Sequence, residues 1–144
     1  SFNMAGWRVG MVLGNAALIE AILKVKSNMD SGMFFGIQKG AIAALNSDAT
    51  WFEDMNKIYA KRRILTEQLA EKLNCKVYKE GVGLFVWAKL PSNVKSAEEF
   101  IDSILYEKHL FITPGTIFGS NGEGYIRFSL CVTEEKIIEA IDRF

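Results

Sequence analysis

The chain has 144 residues, of which 49% are hydrophobic and 24% charged, the composition of a globular protein with a substantial core. Its 17 lysine and arginine residues balance 17 aspartate and glutamate residues, so the formal net charge of +0 argues against a nucleic-acid or membrane-surface partner. No apolar run approaches the roughly 18 residues of a membrane span, and no signal-peptide pattern opens the chain.

The first fifteen residues form a polar, glycine-punctuated loop followed by an apolar run at residues 9–13. A short continuous apolar run is typical of a buried strand, and Arg8 stands where the loop meets it. The strand does not fit the sheet predicted from the rest of the chain, so we expect it to belong to another domain. In this chain alone it should be displaced, disordered or paired with another copy.

Helical periodicity then predicts three helices, over residues 15–27, 33–45 and about 49–74. Lys61, Arg62 and Arg63 on the third helix could form a basic patch. Because the helix also carries many acidic residues, a solvated helix face is the interpretation we favour.

The second half of the chain alternates short strands with helices. Branched and aromatic residues predict strands over residues 77–78, 82–90, 110–113 and 125–132. Ser96 and Glu99 form a capping box for one helix, and Thr133 caps the last. This order predicts an α/β fold of the α+β type, with a small mixed or antiparallel sheet covered by helices on one face.

No residue pattern indicates a metal site or a catalytic triad. His109 is the only histidine and is expected to cap the end of a helix. Cys75 and Cys131 are isolated, which is typical of reduced structural thiols and favours the cytoplasm. The glycines at 119, 122 and 124 lead into a strand and not a helix, so we interpret them as a tight turn and not as a phosphate loop.

Two arginines stand out as candidate anion-binding residues, Arg8 and Arg127. Arg127 lies inside an otherwise apolar strand, where a guanidinium is costly to desolvate unless it meets an anion or a carboxylate. The planar guanidinium holds a carboxylate or a phosphate through two parallel hydrogen bonds. The alternative is that Arg127 faces solvent or pairs with a structural Asp or Glu.

Several segments together resemble a known family. They are SFNMAGWRVG at residues 1–10, DSGMFFGIQ at residues 30–38, the aromatic strand that ends at Leu90 and Pro91, TPGTIFG at residues 113–119, and GYIRFS at residues 124–129. In this order they resemble the class I/II aminotransferases, the pyridoxal-phosphate enzymes of fold type I. The segment from Asp30 to Leu45 is most similar to the aspartate and LL-diaminopimelate branch.

The resemblance implies that residues 1–45 are the C-terminal remnant of a large cofactor-binding domain and residues 46–144 a small C-terminal domain. It implies that Arg8 binds the phosphate of pyridoxal 5'-phosphate and that Arg127 pairs with the substrate α-carboxylate. The cofactor lysine is expected immediately before Ser1, so this chain contains no catalytic residue and should be inactive alone.

The parent enzyme is expected to transfer an amino group between an L-amino acid and a 2-oxo acid, and to be a cytoplasmic homodimer. Two alternatives remain open. One is another fold-type-I activity, such as a C–S lyase or a decarboxylase, since both arginines would serve it equally. The other is an aminotransferase-like sensor domain of a transcription regulator, which an upstream DNA-binding region would identify.

Overall fold

The computed structural model describes residues 2–144. The helices are α1 (Ala16–Met29), α2 (Phe35–Leu45), α3 (Ala49–Lys72), α4 (Ala97–Lys108) and α5 (Glu134–Ile141). The strands are β1 (Lys76–Val77), β2 (Phe85–Lys89), β3 (Thr113–Pro114) and β4 (Tyr125–Ser129). Short 3₁₀ turns lie at Ala5–Trp7, Gly115–Phe118 and Ser120–Gly122.

The four strands form one antiparallel sheet in the order β1-β2-β4-β3. This confirms the predicted fold class and resolves the choice between a mixed and an antiparallel sheet. The third strand is shorter than predicted and begins later, at Thr113 instead of residue 110. Pro114, which has no N–H to donate, is tolerated there because β3 is an edge strand of the sheet.

The core lies on one face of this sheet because apolar side chains alternate along both central strands. Val86 and Ala88 of β2, and Ile126 and Phe128 of β4, are buried, whereas their immediate neighbours are partly or fully exposed. Helices α3, α4 and α5 supply the facing side chains. These are Leu69, Ala70, Ile101, Ile104 and Ala140.

Both ends of α4 follow the predicted capping residues, whereas Thr133, the N-cap residue of α5, makes no side-chain capping hydrogen bond within the described residues. The Ser96 side chain accepts a hydrogen bond from the Glu99 N–H at 3.3 Å, which begins α4 as the capping box predicts. His109 ends α4 in a left-handed conformation, with φ of 52°, and its N–H donates to the Leu105 carbonyl. The predicted helix-capping role of His109 is therefore confirmed.

The interpretation of the basic residues of α3 as a solvated face was wrong for two of the three. Lys61 is exposed, but Arg62 and Arg63 are partly buried. Arg62 Nη1 donates to the Leu130 carbonyl at 3.1 Å, and Arg63 Nη2 donates to the Gly83 carbonyl at 3.2 Å. These arginines join α3 to segments flanking the sheet. Arg62 and its partner are 68 positions apart in the sequence, and Arg63 and its partner are 20 positions apart, so helical periodicity cannot show these contacts.

The chain divides into two compact units after Asp54. In the first unit, none of the described residues is buried, and large apolar side chains are exposed, among them Leu13 (83% exposed) and Met29 (76% exposed). Residues 9–13 form no ladder and are all exposed, so the strand that their apolar run predicts is not formed, which agrees with the expectation that the segment is displaced in this chain alone. The physical reason is that the sheet is built within residues 76–129, which leaves the segment no partner strand.

No helix within residues 2–144 is long and apolar enough to cross a membrane. Both cysteines are free thiols; Cys75 is buried and Cys131 is exposed.

Candidate functional site

Arg127 occupies the middle of β4, a central strand of the sheet. It lies opposite Trp87 of β2 on one side and Thr113 of β3 on the other. The alternation that buries Ile126 and Phe128 in the core turns Arg127 to the opposite face, where it is half-buried. The strand therefore holds this guanidinium on a rigid element, with a backbone hydrogen-bonded on both sides.

Two aromatic rings enclose the Arg127 guanidinium. Its Cζ lies 4.1 Å from the ring centroid of Phe85 and 4.0 Å from that of Phe118. The negative faces of aromatic rings attract a cation, most strongly where water is partly excluded. Trp87 packs edge-on against Phe118, at 5.5 Å between centroids, and also contacts Tyr125. Both rings therefore contact the guanidinium directly, and Trp87 and Tyr125 extend the aromatic cluster beside it.

The guanidinium N–H groups of Arg127 have no acceptor within the described chain. The Arg127 side chain forms no ion pair or hydrogen bond with any of residues 2–144, and its Nε is buried without a partner. A buried donor left unsatisfied costs about 1–3 kcal/mol, which an anionic ligand would recover. The structural Asp or Glu considered as an alternative partner is therefore not found among these residues. The planar fork with free donors suits a carboxylate.

Sequence reasoning missed the aromatic residues around Arg127. The available signal was the alternation along β2, which places Phe85 and Trp87 on the face away from the core. Phe118 gave no such signal, because it reaches Arg127 from the loop between β3 and β4. Part of this cluster opens onto a cavity of about 370 Å³, which is lined by Tyr78, Trp87, Phe118, Asn121, Gly122 and Tyr125.

The glycine-rich loop before β4 is a tight turn, as predicted. Gly119 and Gly124 have φ of 117° and 77°, in the region that favours glycine, and 3₁₀ turns lie on both sides of Gly119. The loop leads into a strand and not into the N-terminus of a helix, which is the arrangement that a phosphate-binding loop uses.

Arg8 lies in the first unit, at the end of the 3₁₀ turn Ala5–Trp7. Its backbone is left-handed, with φ of 52° and ψ of 41°. A residue other than glycine in this region carries a strain of about 1 kcal/mol or more, and such residues cluster at functional sites. The side chain is exposed, and its one hydrogen bond to the described residues is a long one, of 3.4 Å, from Nη1 to the Ala5 carbonyl. Most of the guanidinium is thus available, and its fork fits a phosphate.

The neighbouring Trp7 packs against α2 within the same unit. A Cβ added at Gly40 would come within 3.0 Å of the Trp7 ring, so only glycine allows this approach. Arg8 and Arg127 belong to different compact units, and each is a candidate in its own right. No group of three His, Cys, Asp or Glu residues within residues 2–144 is placed to hold a metal ion.

Comparison with known proteins gives the context of these two arginines. The sequence profile of the family described as Aminotransferase class I and II matches residues 1–144. The chain belongs to this family. Aminotransferases of class I and II work with pyridoxal phosphate, so the free donors of Arg8 and Arg127 lie in a family whose ligands carry a phosphate and carboxylates.

Individual relatives agree with the family. An LL-diaminopimelate aminotransferase from Maridesulfovibrio salexigens is 40% identical over 143 residues, which is 99% of this chain and 37% of the relative. Among solved structures, the apo form of the transaminase BacF from Bacillus subtilis superposes with a TM-score of 0.86 at 35% identity, covering 99% of this chain and 36% of BacF. An aromatic aminotransferase from Pyrococcus horikoshii gives 0.88 at 29% identity, covering 99% of this chain and 38% of that enzyme. The chain thus spans slightly more than a third of these aminotransferases.

Proposed function

We propose that this chain is the C-terminal part of an aminotransferase that moves an amino group between an L-amino acid and a 2-oxo acid. Within it, Arg127 binds the α-carboxylate that both substrates share. The observation that carries the proposal is the Arg127 Nε, buried without a partner in a guanidinium held between two aromatic rings. A positioned fork gives the reacting α-carbon a fixed orientation, which is where much of the rate of such a reaction comes from.

Arg8 is proposed to hold the phosphate of pyridoxal 5'-phosphate. Its exposed guanidinium and left-handed backbone at the end of the 3₁₀ turn support this role. When bound, the cofactor supplies an electron sink for negative charge that develops at the substrate α-carbon. The two arginines anchor and orient, and we propose that no residue of this chain itself moves the proton.

The finer organisation of the parent protein is also a proposal. Residues 1–45 would belong to its large domain and residues 46–144 would form the small domain; the boundary between compact units after Asp54 supports a division in this region. We propose a homodimeric, cytoplasmic parent. The apolar side chains exposed in the first unit support burial against further protein surface, and the two free thiols support a reducing compartment.

The test is amino-group transfer by the full-length enzyme that contains this chain. Candidate donors include LL-diaminopimelate, because a relative with that name is 40% identical. Arg127→Lys keeps the charge but loses the fork, so KM for both substrates should rise about tenfold or more. Arg8→Lys should weaken cofactor binding while leaving the KM values within about twofold.

The same assay separates the alternatives. Release of a sulfur compound or of carbon dioxide without amino transfer would indicate a lyase or decarboxylase. Cofactor binding without any turnover would indicate a sensor domain. Light scattering of the full-length enzyme at micromolar concentration tests the homodimer, and a monomer would contradict it.

A further inference from the structure

The loop that carries Phe118 is held together by close backbone contact. It consists of the 3₁₀ turns Gly115–Phe118 and Ser120–Gly122. A Cβ added at Gly115 would lie 3.0 Å from the Gly122 carbonyl carbon and 2.8 Å from the Tyr125 oxygen, both backbone atoms that cannot yield easily. The Gly122 N–H also donates to the Gly119 carbonyl at 2.9 Å. The loop is therefore a compact unit with its two turns in direct backbone contact.

One side chain fastens this compact loop to α4. The Oε1 atom of Glu123 accepts two backbone hydrogen bonds, from Ala97 at 3.0 Å and from Gly124 at 3.0 Å. Ala97 is the first residue of α4, so its N–H has no acceptor within the helix. Because Ala97 is also fully buried, water does not readily supply one. A carboxylate at a helix N-terminus also meets the positive end of the helix dipole.

A second hydrogen bond joins the same two elements. The Thr116 hydroxyl donates to Glu98 Oε1 at 2.9 Å, from the first 3₁₀ turn of the loop to the first turn of α4. In addition, the Leu90 N–H donates to the Gly124 carbonyl at 2.9 Å, next to the end of β2. Glu123 thus links the loop to α4, and it lies two residues before β4 begins and four residues before Arg127 in the sequence.

We propose that Glu123 is a positioning residue for the α-carboxylate site: it fastens the loop of residues 115–124 to α4 so that Phe118 stays against the Arg127 guanidinium. This inference rests on the proposed role of Arg127. Glu123 itself touches neither substrate nor cofactor. It acts through Phe118, which lies 4.0 Å from the Arg127 Cζ and forms one wall of the aromatic enclosure.

The consequence for binding follows from the enclosure. If the loop detaches, the Phe118 ring leaves, water reaches the guanidinium, and the side chain of Arg127 gains rotational freedom. Binding of the α-carboxylate then has to order the arginine and remove that water, which weakens the substrate complex. A loss of overall stability would instead lower the fraction of active enzyme, and with it the apparent kcat, without changing KM.

The experiment compares variants of the full-length enzyme. Glu123→Ala removes the carboxylate, Glu123→Gln keeps an oxygen that can accept both N–H groups, and Thr116→Val removes the second link. Glu107→Ala, an exposed acidic residue on α4, is the matched control. For each, KM and kcat are measured for the amino acid and the 2-oxo acid, and amide hydrogen exchange is measured at Ala97 and over residues 115–124.

We expect Glu123→Ala to raise both KM values about tenfold, an effect typical of a slightly misplaced binding group, with kcat within about twofold. Glu123→Gln should restore most of the affinity, Thr116→Val should raise KM by a smaller factor, and Glu107→Ala should change neither constant. Amide hydrogen exchange at Ala97 and across the loop should be faster in Glu123→Ala and unchanged in Glu123→Gln. If Glu123→Ala does not yield folded enzyme, the direction of the Thr116→Val effect decides.

Unchanged KM values in Glu123→Ala overturn the proposal, whether or not the loop exchanges faster. A fall in kcat alone also overturns it, since that is the result of a purely structural role. The Arg127→Lys enzyme, assayed in parallel, separates the two claims. If its KM rises while that of Glu123→Ala does not, the positioning role fails and the proposed function stands; if its KM is unchanged, the proposed function itself is wrong.

Discussion

Arg62 offers a sharp test of how the second unit is held together. It extends from α3 to the end of β4 and the start of α5. Its Nη1 donates to the Leu130 carbonyl at 3.1 Å, its Nε lies 3.4 Å from Glu134 Oε2, and its Cζ lies 5.6 Å from the Tyr59 ring centroid. The side chains of Arg62 and Glu134 are 16% and 19% exposed, so the pair is only weakly screened by water.

The expected cost of Arg62→Ala follows from these contacts. A hydrogen bond from a charged group is worth about 1.5–3 kcal/mol, and the cation–π contact about 0.5–1 kcal/mol. The ion pair adds about 1 kcal/mol, given its partial burial. Allowing for relaxation of the neighbours, we expect the free energy of unfolding to fall by about 3 kcal/mol. Arg62→Lys should cost less than Arg62→Ala because lysine keeps the charge. It should still lower the free energy of unfolding, because lysine cannot contact Leu130 and Glu134 together.

The assay is urea unfolding of the chain followed by circular dichroism, in a double-mutant cycle of Arg62→Ala with Glu134→Gln. The coupling free energy between the two residues should be about 1 kcal/mol. Lys61→Ala, the exposed neighbour of Arg62, is the matched control and should change stability by less than about 0.5 kcal/mol. A coupling free energy near zero, or an Arg62→Ala chain as stable as the Lys61→Ala chain, would refute the reasoning.

The remaining predictions concern the thiols, the compact loop and the cofactor. Burial raises the pKa of Cys75 from 9.0 to about 11, so the exposed Cys131 should react with a thiol reagent at pH 8, whereas Cys75 should react only after unfolding. The free energy of unfolding should fall as the pH rises from about 9 to 11, because in this range Cys75 ionises only in the unfolded chain. Cys75→Ala should remove this pH dependence. Gly122→Ala should destabilise by about 2–4 kcal/mol, because its Cβ would strike the Gly115 backbone, whereas at Gly81 the same change meets only ordinary contacts. The 144-residue chain mixed with pyridoxal phosphate should show no Schiff-base absorbance, and a borohydride-trapped adduct on one unique lysine would contradict this.

The fold of the second half could be predicted because its signals are local. Alternation along β2 and β4, the Ser96 capping box and the apolar stripe of α5 each depend on neighbours only a few residues apart. The segment at residues 9–13 shows the limit of such signals. Its apolar pattern indicates that the segment prefers burial. A strand also needs a partner strand, and the described chain contains none for this segment.

The candidate site could be predicted only in part, for a similar reason. Arg127 was visible because a charged residue interrupts an apolar strand. Arg127 contacts Phe118, nine positions earlier in a loop without periodicity, and Glu123 contacts Ala97, 26 positions earlier at the start of α4. Arg62 was misread because its partners follow α3 by many residues. Long-range hydrogen bonds of this kind leave no mark on the local pattern.

The most direct test of the central claim is how strongly the full-length enzyme prefers an amino acid over the amine that lacks the α-carboxylate. The ratio of kcat/KM for the two compounds isolates the group that Arg127 is proposed to bind. Arg127→Gln should lower this ratio by about a hundredfold, since a charge-assisted pair in a partly dry site is lost. Lys89→Gln, which removes an exposed charge from the same sheet face, should leave the ratio unchanged. An unchanged ratio in Arg127→Gln would contradict the account.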